Sequence, residues 1–151
     1  MTTIIKGPDD LRARVGQHLG YSDWLEITQD RVNEFADATG DHQWIHVNPE
    51  RARQGPFGTT IAHGYLTLSI TNRWLGGLLR VPNATMGVNY GANKVRFPAP
   101  VPVGTRIRMG VEILSVDEVP GGAQVTTRNT VEVDGSEKPA CVVEAISRFL
   151  F

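Results

Sequence analysis

Residues 62–79 constrain the fold more than any other stretch, because Leu66, Leu68, Ile70, Trp74, Leu75, Leu78 and Leu79 put apolar side chains almost all round a helical cylinder. A helix without a polar face has to be covered on every side and belongs inside a domain. A membrane is the other home for such a segment. Asn72, Arg73 and the pair Gly76-Gly77 interrupt it, however, and no apolar run approaches the roughly 20 residues that cross a bilayer. Its cover is written after Pro82. Four strand-like stretches, 85–97, 105–118, 123–133 and 140–151, are separated by Pro98-Ala99-Pro100, Pro120-Gly121-Gly122 and Asp134-Gly135, the last two being hairpin signals. One buried helix followed by a run of antiparallel strands predicts an α+β arrangement in which the sheet wraps the helix.

The N-terminal half punctuates differently. Leu11, Val15 and Leu19 recur at helical spacing between Pro8, suited to a first turn, and Gly20, suited to a stop, so residues 8–19 are expected to form a short helix. Trp24-Leu25-Glu26-Ile27 is strand-like. Thr28 can then cap a helix whose Val32, Phe35 and Ala36 share one face and which Gly40 ends. That leaves residues 41–47 as a loop, with Asn48-Pro49 capping a further short helix to Arg53. With 151 residues, 40% hydrophobic, no internal repeat and no low-complexity tract, residues 1–151 are expected to form a single domain.

Bulk charge excludes some partners. Fifteen Lys and Arg against 16 Asp and Glu leave a net charge of −1, which recommends neither nucleic acid nor an anionic membrane. One cysteine, Cys141, cannot make an internal disulfide and is expected as an inert thiol in a strand. The N-terminus has no signal-peptide core, which makes a cytoplasmic location the default expectation. No phosphate-binding loop or dinucleotide fingerprint occurs, since Gly76-Gly77 lacks the strand-loop-helix setting, and no nucleotide or other cofactor is expected.

Chemistry concentrates in Gly40-Asp41-His42-Gln43-Trp44-Ile45-His46-Val47-Asn48-Pro49-Glu50. Asp41 alone reads as a turn stabiliser and His46 alone as a surface histidine. Held together, a carboxylate and an imidazole can bind and deprotonate one water. His42 and His46, four apart beside Asp41, also superficially resemble metal ligands. That spacing converges on a helix and not on a loop, and no third ligand is visible, so no metal is expected and His42 is placed toward solvent.

This segment resembles the hydratase motif of the MaoC-like, or hydratase 2, family, in which Gly-Asp is followed by a variable residue, Asn-Pro, an apolar residue and His. Asp41 and His46 match, while Gln43-Trp44 stands where the family more often has Asn-Pro. Ile61-Ala62-His63-Gly64-Tyr65-Leu66-Thr67-Leu68-Ser69 is similar to the start of the family's central helix, and Asn93-Lys94-Val95-Arg96-Phe97-Pro98 with Pro102-Val103-Gly104-Thr105 to the strand and turn that follow.

The resemblance implies a hotdog fold, a curved antiparallel sheet around a long central helix, paired as a homodimer with the active site near the shared interface. It implies Asp41 and His46 as the catalytic pair and the backbone amide of Gly64 as the group facing a thioester carbonyl. The bland reading of Gly64 is tight packing at a helix start. His63 is expected to cap or pack there without being catalytic. Ser69 either hydrogen-bonds within the core or supports the pair. Lys94 and Arg96 share a strand face that is either simply solvated or, as the resemblance favours, close to the phosphates of coenzyme A. The implied activity is (R)-specific hydration of trans-2-enoyl-CoA. The rivals are a 3-hydroxyacyl dehydratase acting on an acyl-carrier protein, recognised through Lys94, Arg96, Arg106 and Arg108, then a thioesterase and a noncatalytic acyl-thioester binder.

Overall fold

The computed structural model describes residues 1–151. In chain order its elements are β1 (Thr3–Ile4), α1 (Pro8–Ala13), β2 (His18–Tyr21), β3 (Leu25–Glu26), α2 (Gln29–Thr39), α3 (Trp44–Val47), α4 (Pro49–Arg53), α5 (Gly64–Leu78), β4 (Leu79–Arg80), β5 (Met86–Arg96), β6 (Arg106–Val119), β7 (Gly122–Val133) and β8 (Cys141–Leu150). The main sheet runs β2-β6-β7-β8-β5 with β3 also pairing β6, and all its pairings are antiparallel. Central helix α5 buries Leu66, Ile70, Trp74, Leu75 and Leu78 in one core with Ile107, Met109, Val111 and Ile113 of β6 and Val125 and Val131 of β7. Each such side chain contributes roughly 1.5–3 kcal/mol on leaving water, which is why an all-round apolar helix stays inside the sheet. The α+β reading with a central helix and a wrapped antiparallel sheet is what the structure shows. The two hairpins are also present, with Gly121 and Gly135 at φ 79° and 81°, where a side chain would be strained.

Tertiary pairing overrides the expected helix at residues 8–19. The helix stops at Ala13, Gly16 turns at φ 85° and donates to the Ile113 carbonyl, and His18–Tyr21 becomes a strand against β6. Gly110 permits that approach, since a Cβ there would lie 2.9 Å from the Tyr21 ring. A second pairing, parallel β1 with β4, has no local sequence signal at all. The loop expected at 41–47 is partly a correction too, because its last four residues close one helical turn, α3.

Strand β5 ends the sheet, and of its eleven residues only Val95 is even half-buried. Met86, Val88 and Tyr90 stand exposed along it. No helix of the chain is long and apolar enough to cross a membrane.

Candidate active site

Thr28 accepts from the Arg31 amide and starts α2, and Gly40, at φ 80°, closes it in the left-handed conformation. The chain then leaves the helix carrying Asp41 into the open. Its carboxylate accepts from the Gln43 amide at 3.3 Å, and its backbone carbonyl accepts from His63 Nε2 at 2.9 Å.

His46 arrives on α3 and is buried. Its Nδ1–H donates to the Ile61 carbonyl at 2.7 Å, while the Ile61 amide returns a bond to the Ile45 carbonyl at 3.0 Å. Because a carbonyl can only accept, this bond fixes the proton on Nδ1 and leaves Nε2 with its lone pair. Gln29 locks the same turn, donating to the His46 carbonyl at 2.7 Å and accepting from the Thr60 hydroxyl at 2.6 Å. Desolvation holds the His46 pKa below its ordinary 6.5, with the neighbouring His63 adding to the depression against the opposing pull of the Ile61 bond and the Asp41 carboxylate.

His63, expected to cap or pack at the start of α5, packs without capping. It stands at the N-cap of α5 yet makes no capping bond, stacking instead on His46 at 3.9 Å between ring centroids while its Nε2 holds the Asp41 carbonyl. With no side chain capping α5, the Gly64 amide is unpaired, where the helix dipole is positive, while the Leu66 and Thr67 amides donate to the His63 carbonyl. Gly64 is required by packing as well: a Cβ there would come within 3.2 Å of the Phe97 ring. His46, Gly64, Phe57, Phe97, Val101 and others line a cavity of about 350 Å³. The arrangement presents two proton acceptors and, beside them, an amide donor at the mouth of an apolar pocket, which is the equipment for acid–base chemistry on a carbonyl compound.

The sequence set His42 and His46 beside Asp41 as the superficial metal ligands, whereas the fold brings His63 to Asp41 and His46, with ligand atoms of these three within 4.8 Å of one another. The ring planes of His46 and His63 are inclined by only 24°. Planes so nearly parallel and so far apart meet well beyond the ~2.1 Å of a metal–imidazole bond, so both rings cannot aim lone pairs at one ion. His42 lies apart, exposed, its pKa raised by the hydrogen bond it donates to Asp37 at 2.9 Å.

The family model for the MaoC like domain matches residues 10–135. The chain belongs to the MaoC-like dehydratase family. This MaoC-like enzyme is a hydro-lyase, and it is 56% identical over 142 residues to the 3-hydroxyacyl-thioester dehydratase Z of Mycobacterium tuberculosis, covering 93% of this chain and 94% of that one. Its fold matches the monoamine oxidase regulatory protein from Archaeoglobus fulgius with a TM-score of 0.80 at 22% identity, covering 99% and 97% of the two chains. It also matches the (R)-hydratase from A. caviae involved in PHA biosynthesis, at TM-score 0.68 and 26% identity over 88% of this chain and 94% of that one. The hotdog architecture follows from these neighbours.

The remaining sequence candidates of this MaoC-like chain lie farther off. Gln43-Trp44, the departure from the family motif, is accommodated by turning the indole onto Gly55, where a Cβ would meet it at 3.0 Å, beneath the Arg51 guanidinium. Ser69 is exposed, donates to the Tyr65 carbonyl at 2.7 Å, and lines a different cavity from His46. Lys94 and Arg96 are exposed on β5, next to Phe97. The four-residue basic cluster does not form: Arg106 and Arg108 lie on β6, separated from β5 by β7 and β8, and pair with Asp134 and Glu132. Burial pushes the Cys141 thiol up to about 11, which makes it inert at neutral pH. Neither Gln29 nor Thr60 carried a sequence signal. Their bond spans 31 positions, so only the fold brings them together.

Proposed function

We propose that this enzyme interconverts trans-2-enoyl and (R)-3-hydroxyacyl thioesters of coenzyme A. The observation that carries the reading is the lone pair of His46 Nε2, fixed by the Nδ1 bond to Ile61, beside the Asp41 carboxylate and the free amide of Gly64. Two acceptors hold one water by its two hydrogens, and its oxygen lone pair is then aimed at C3 of the enoyl group. As the C3–O bond forms, the C2–C3 π electrons move onto the thioester oxygen, which takes a hydrogen bond from the Gly64 amide. Losing such a donor typically costs about 3 kcal/mol of transition-state stabilisation. Burial disfavours the imidazolium, so His46 orients the water and Asp41 takes its proton. Asp41 returns that proton to C2 as the enolate collapses, and the same steps in reverse dehydrate the 3-hydroxyacyl thioester. His63 steadies both partners, one by stacking and one through its bond to the Asp41 carbonyl.

The (R) configuration is supported by the likeness to the A. caviae (R)-hydratase. Coenzyme A is favoured over a carrier protein because the basic cluster a carrier would need is dispersed, whereas Lys94 and Arg96 remain unpaired near the Phe97 end of the pocket. Purified enzyme with crotonyl-CoA tests the reading. Loss of the conjugated absorbance with an (R)-3-hydroxy product and no free thiol supports it. Stoichiometric coenzyme A release would identify a thioesterase, and binding without product a noncatalytic protein.

Two further expectations arise here. An eleven-residue edge strand exposed on both faces, carrying Met86, Val88 and Tyr90, is an invitation to pair with a second copy, and we propose a homodimer formed through β5. Sedimentation equilibrium should return twice the 16.6 kDa chain mass, and an active monomer would contradict it. Dialysis against a strong chelator should leave turnover unchanged, since the His46 and His63 rings cannot share an ion. Activity lost to the chelator and restored by zinc would overturn that geometry.

A further inference from the structure

The turn that carries His46 cannot hold itself in place. Helix α3 has four residues and no side-chain cap, and an isolated helix of one turn is unstable in water. Its position is set from outside, by Ile61 and by one carboxamide. Gln29 Nε2 donates to the His46 carbonyl at 2.7 Å and to Asn33 Oδ1, one turn further along α2, at 2.9 Å. A carbonyl only accepts, so the Gln29 nitrogen must face His46. Its oxygen then faces Thr60, whose hydroxyl therefore donates, at 2.6 Å. With both amide protons and the oxygen bonded, the side chain has a single orientation.

The segments that meet at this carboxamide are the ones that carry the reacting groups. Gln29 is the first residue of α2, the helix whose far end delivers Asp41. His46 is held through its carbonyl. Thr60 opens the segment that passes through Ile61, whose carbonyl takes the His46 Nδ1 proton, and reaches the Gly64 amide at the start of α5. Thr60 is buried, and its segment is itself pinned: the Val103 amide donates to the Thr60 carbonyl at 2.9 Å and the Ala62 amide to the Val101 carbonyl at 2.8 Å. A closed loop of bonds results, from Gln29 to His46, to Ile61, along the chain to Thr60 and back to Gln29. Without the carboxamide donor, α3 would keep only its two bonds to Ile61 as hydrogen bonds to other segments.

We propose that Gln29, anchored by Thr60, is a positioning residue of the reaction, fixing the His46 turn against the Gly64 segment and so setting how far the held water stands from a thioester carbonyl at Gly64. The proposal rests on the reading of Asp41, His46 and Gly64 given above. Neither Gln29 nor Thr60 lines the His46 cavity, so the effect reaches the substrate only through the groups they hold. A misplacement of about 1 Å, caused from outside the chemistry, can cost roughly 100-fold in rate.

Gln29→Glu keeps the volume, the bond from Thr60 and a first-turn residue that suits the helix dipole, yet as a carboxylate it sets an acceptor against the His46 carbonyl. On crotonyl-CoA, well below the melting temperature of the folded variant, it is expected to lower kcat roughly 10- to 100-fold with KM nearly unchanged. Thr60→Val, which strands the Gln29 oxygen, should lose part of the same factor. Thr60→Ser keeps the hydroxyl and should recover most of that loss. The two changes Gln29→Glu and Thr60→Val combined should cost well under the product of their separate losses, as members of one network do.

Heteronuclear NMR of the His46 ring nitrogens reads the clamp without turnover. The wild type should show the proton on Nδ1, and Gln29→Glu and Thr60→Val should show it shared with Nε2. Wild-type kcat in folded Gln29→Glu, or equal losses in Thr60→Val and Thr60→Ser, overturns the proposal. Ring signals left as in the wild type by both Gln29→Glu and Thr60→Val overturn it too, since the clamp acts through the placement of that ring. Should Gln29→Glu fail to fold, the comparison of Thr60→Val with Thr60→Ser decides alone. A wild type that leaves crotonyl-CoA unchanged would overturn the hydratase reading, and the NMR comparison would still decide whether Gln29 and Thr60 hold His46.

Discussion

Asp41→Asn is expected to keep the fold and lose about 100- to 10,000-fold in kcat for hydration, the range over which a positioned general base contributes. Asp41 is exposed, and the only hydrogen bond to its carboxylate comes from the Gln43 amide, which the carboxamide oxygen of asparagine can still accept. The His63 bond goes to the backbone carbonyl and survives the change. What disappears is the capacity to take a proton from water. Initial rates on crotonyl-CoA, with a thermal melt to verify folding, measure this directly, and a folded variant of near-normal rate would remove Asp41 from the mechanism.

His46→Gln is expected to cost turnover on a similar scale, because the replacement cannot present a ring nitrogen lone pair while donating to the Ile61 carbonyl. The wild-type pH profile gives the companion test. Burial depresses the folded pKa of His46 below 6.5, so the imidazole stays neutral as pH falls through 6.5 and charges only beneath that. The His46 contribution to kcat/KM should therefore be level from neutral pH through 6.5 and fall only at lower pH. An acid limb at or above 6.5 that His46→Gln removes would contradict the burial argument. Stability has the same sign. Between the depressed folded pKa and 6.5 the unfolded chain binds the proton more readily, so the stabilisation from a neutral His46 is complete above 6.5 and is lost as pH falls through the folded value.

Much of this protein is legible residue by residue because the signals are local. Periodicity along 62–79 dictates a buried helix, turn residues at Pro120-Gly121-Gly122 and Asp134-Gly135 dictate hairpins, and Thr28, Gly40 and Asn48 cap helices through bonds to residues within four positions. Asp41 and His46 are close in sequence, and their pairing needs only a helix end and one turn.

The rest depends on partners far away in the chain, which local pattern does not encode. Helical spacing of Leu11, Val15 and Leu19 is real, yet residues 18–21 gain more from pairing with β6 than from extending α1, and Val15 is left exposed. His63 carries no sequence mark of its role because its two partners lie 17 and 22 positions earlier and meet it only after α5 docks. Asn129 in a run of β-formers looks like an ordinary strand residue; only the register that sets it against Val111 and Val143 points its amide inward, beneath the central helix. Sequence alone determined most of the elements and the nearness of Asp41 to His46, through contacts a few residues long. The tertiary structure decided which nitrogen of His46 is free and why Gly64 is a glycine, because each depends on a packing contact between segments distant in the chain.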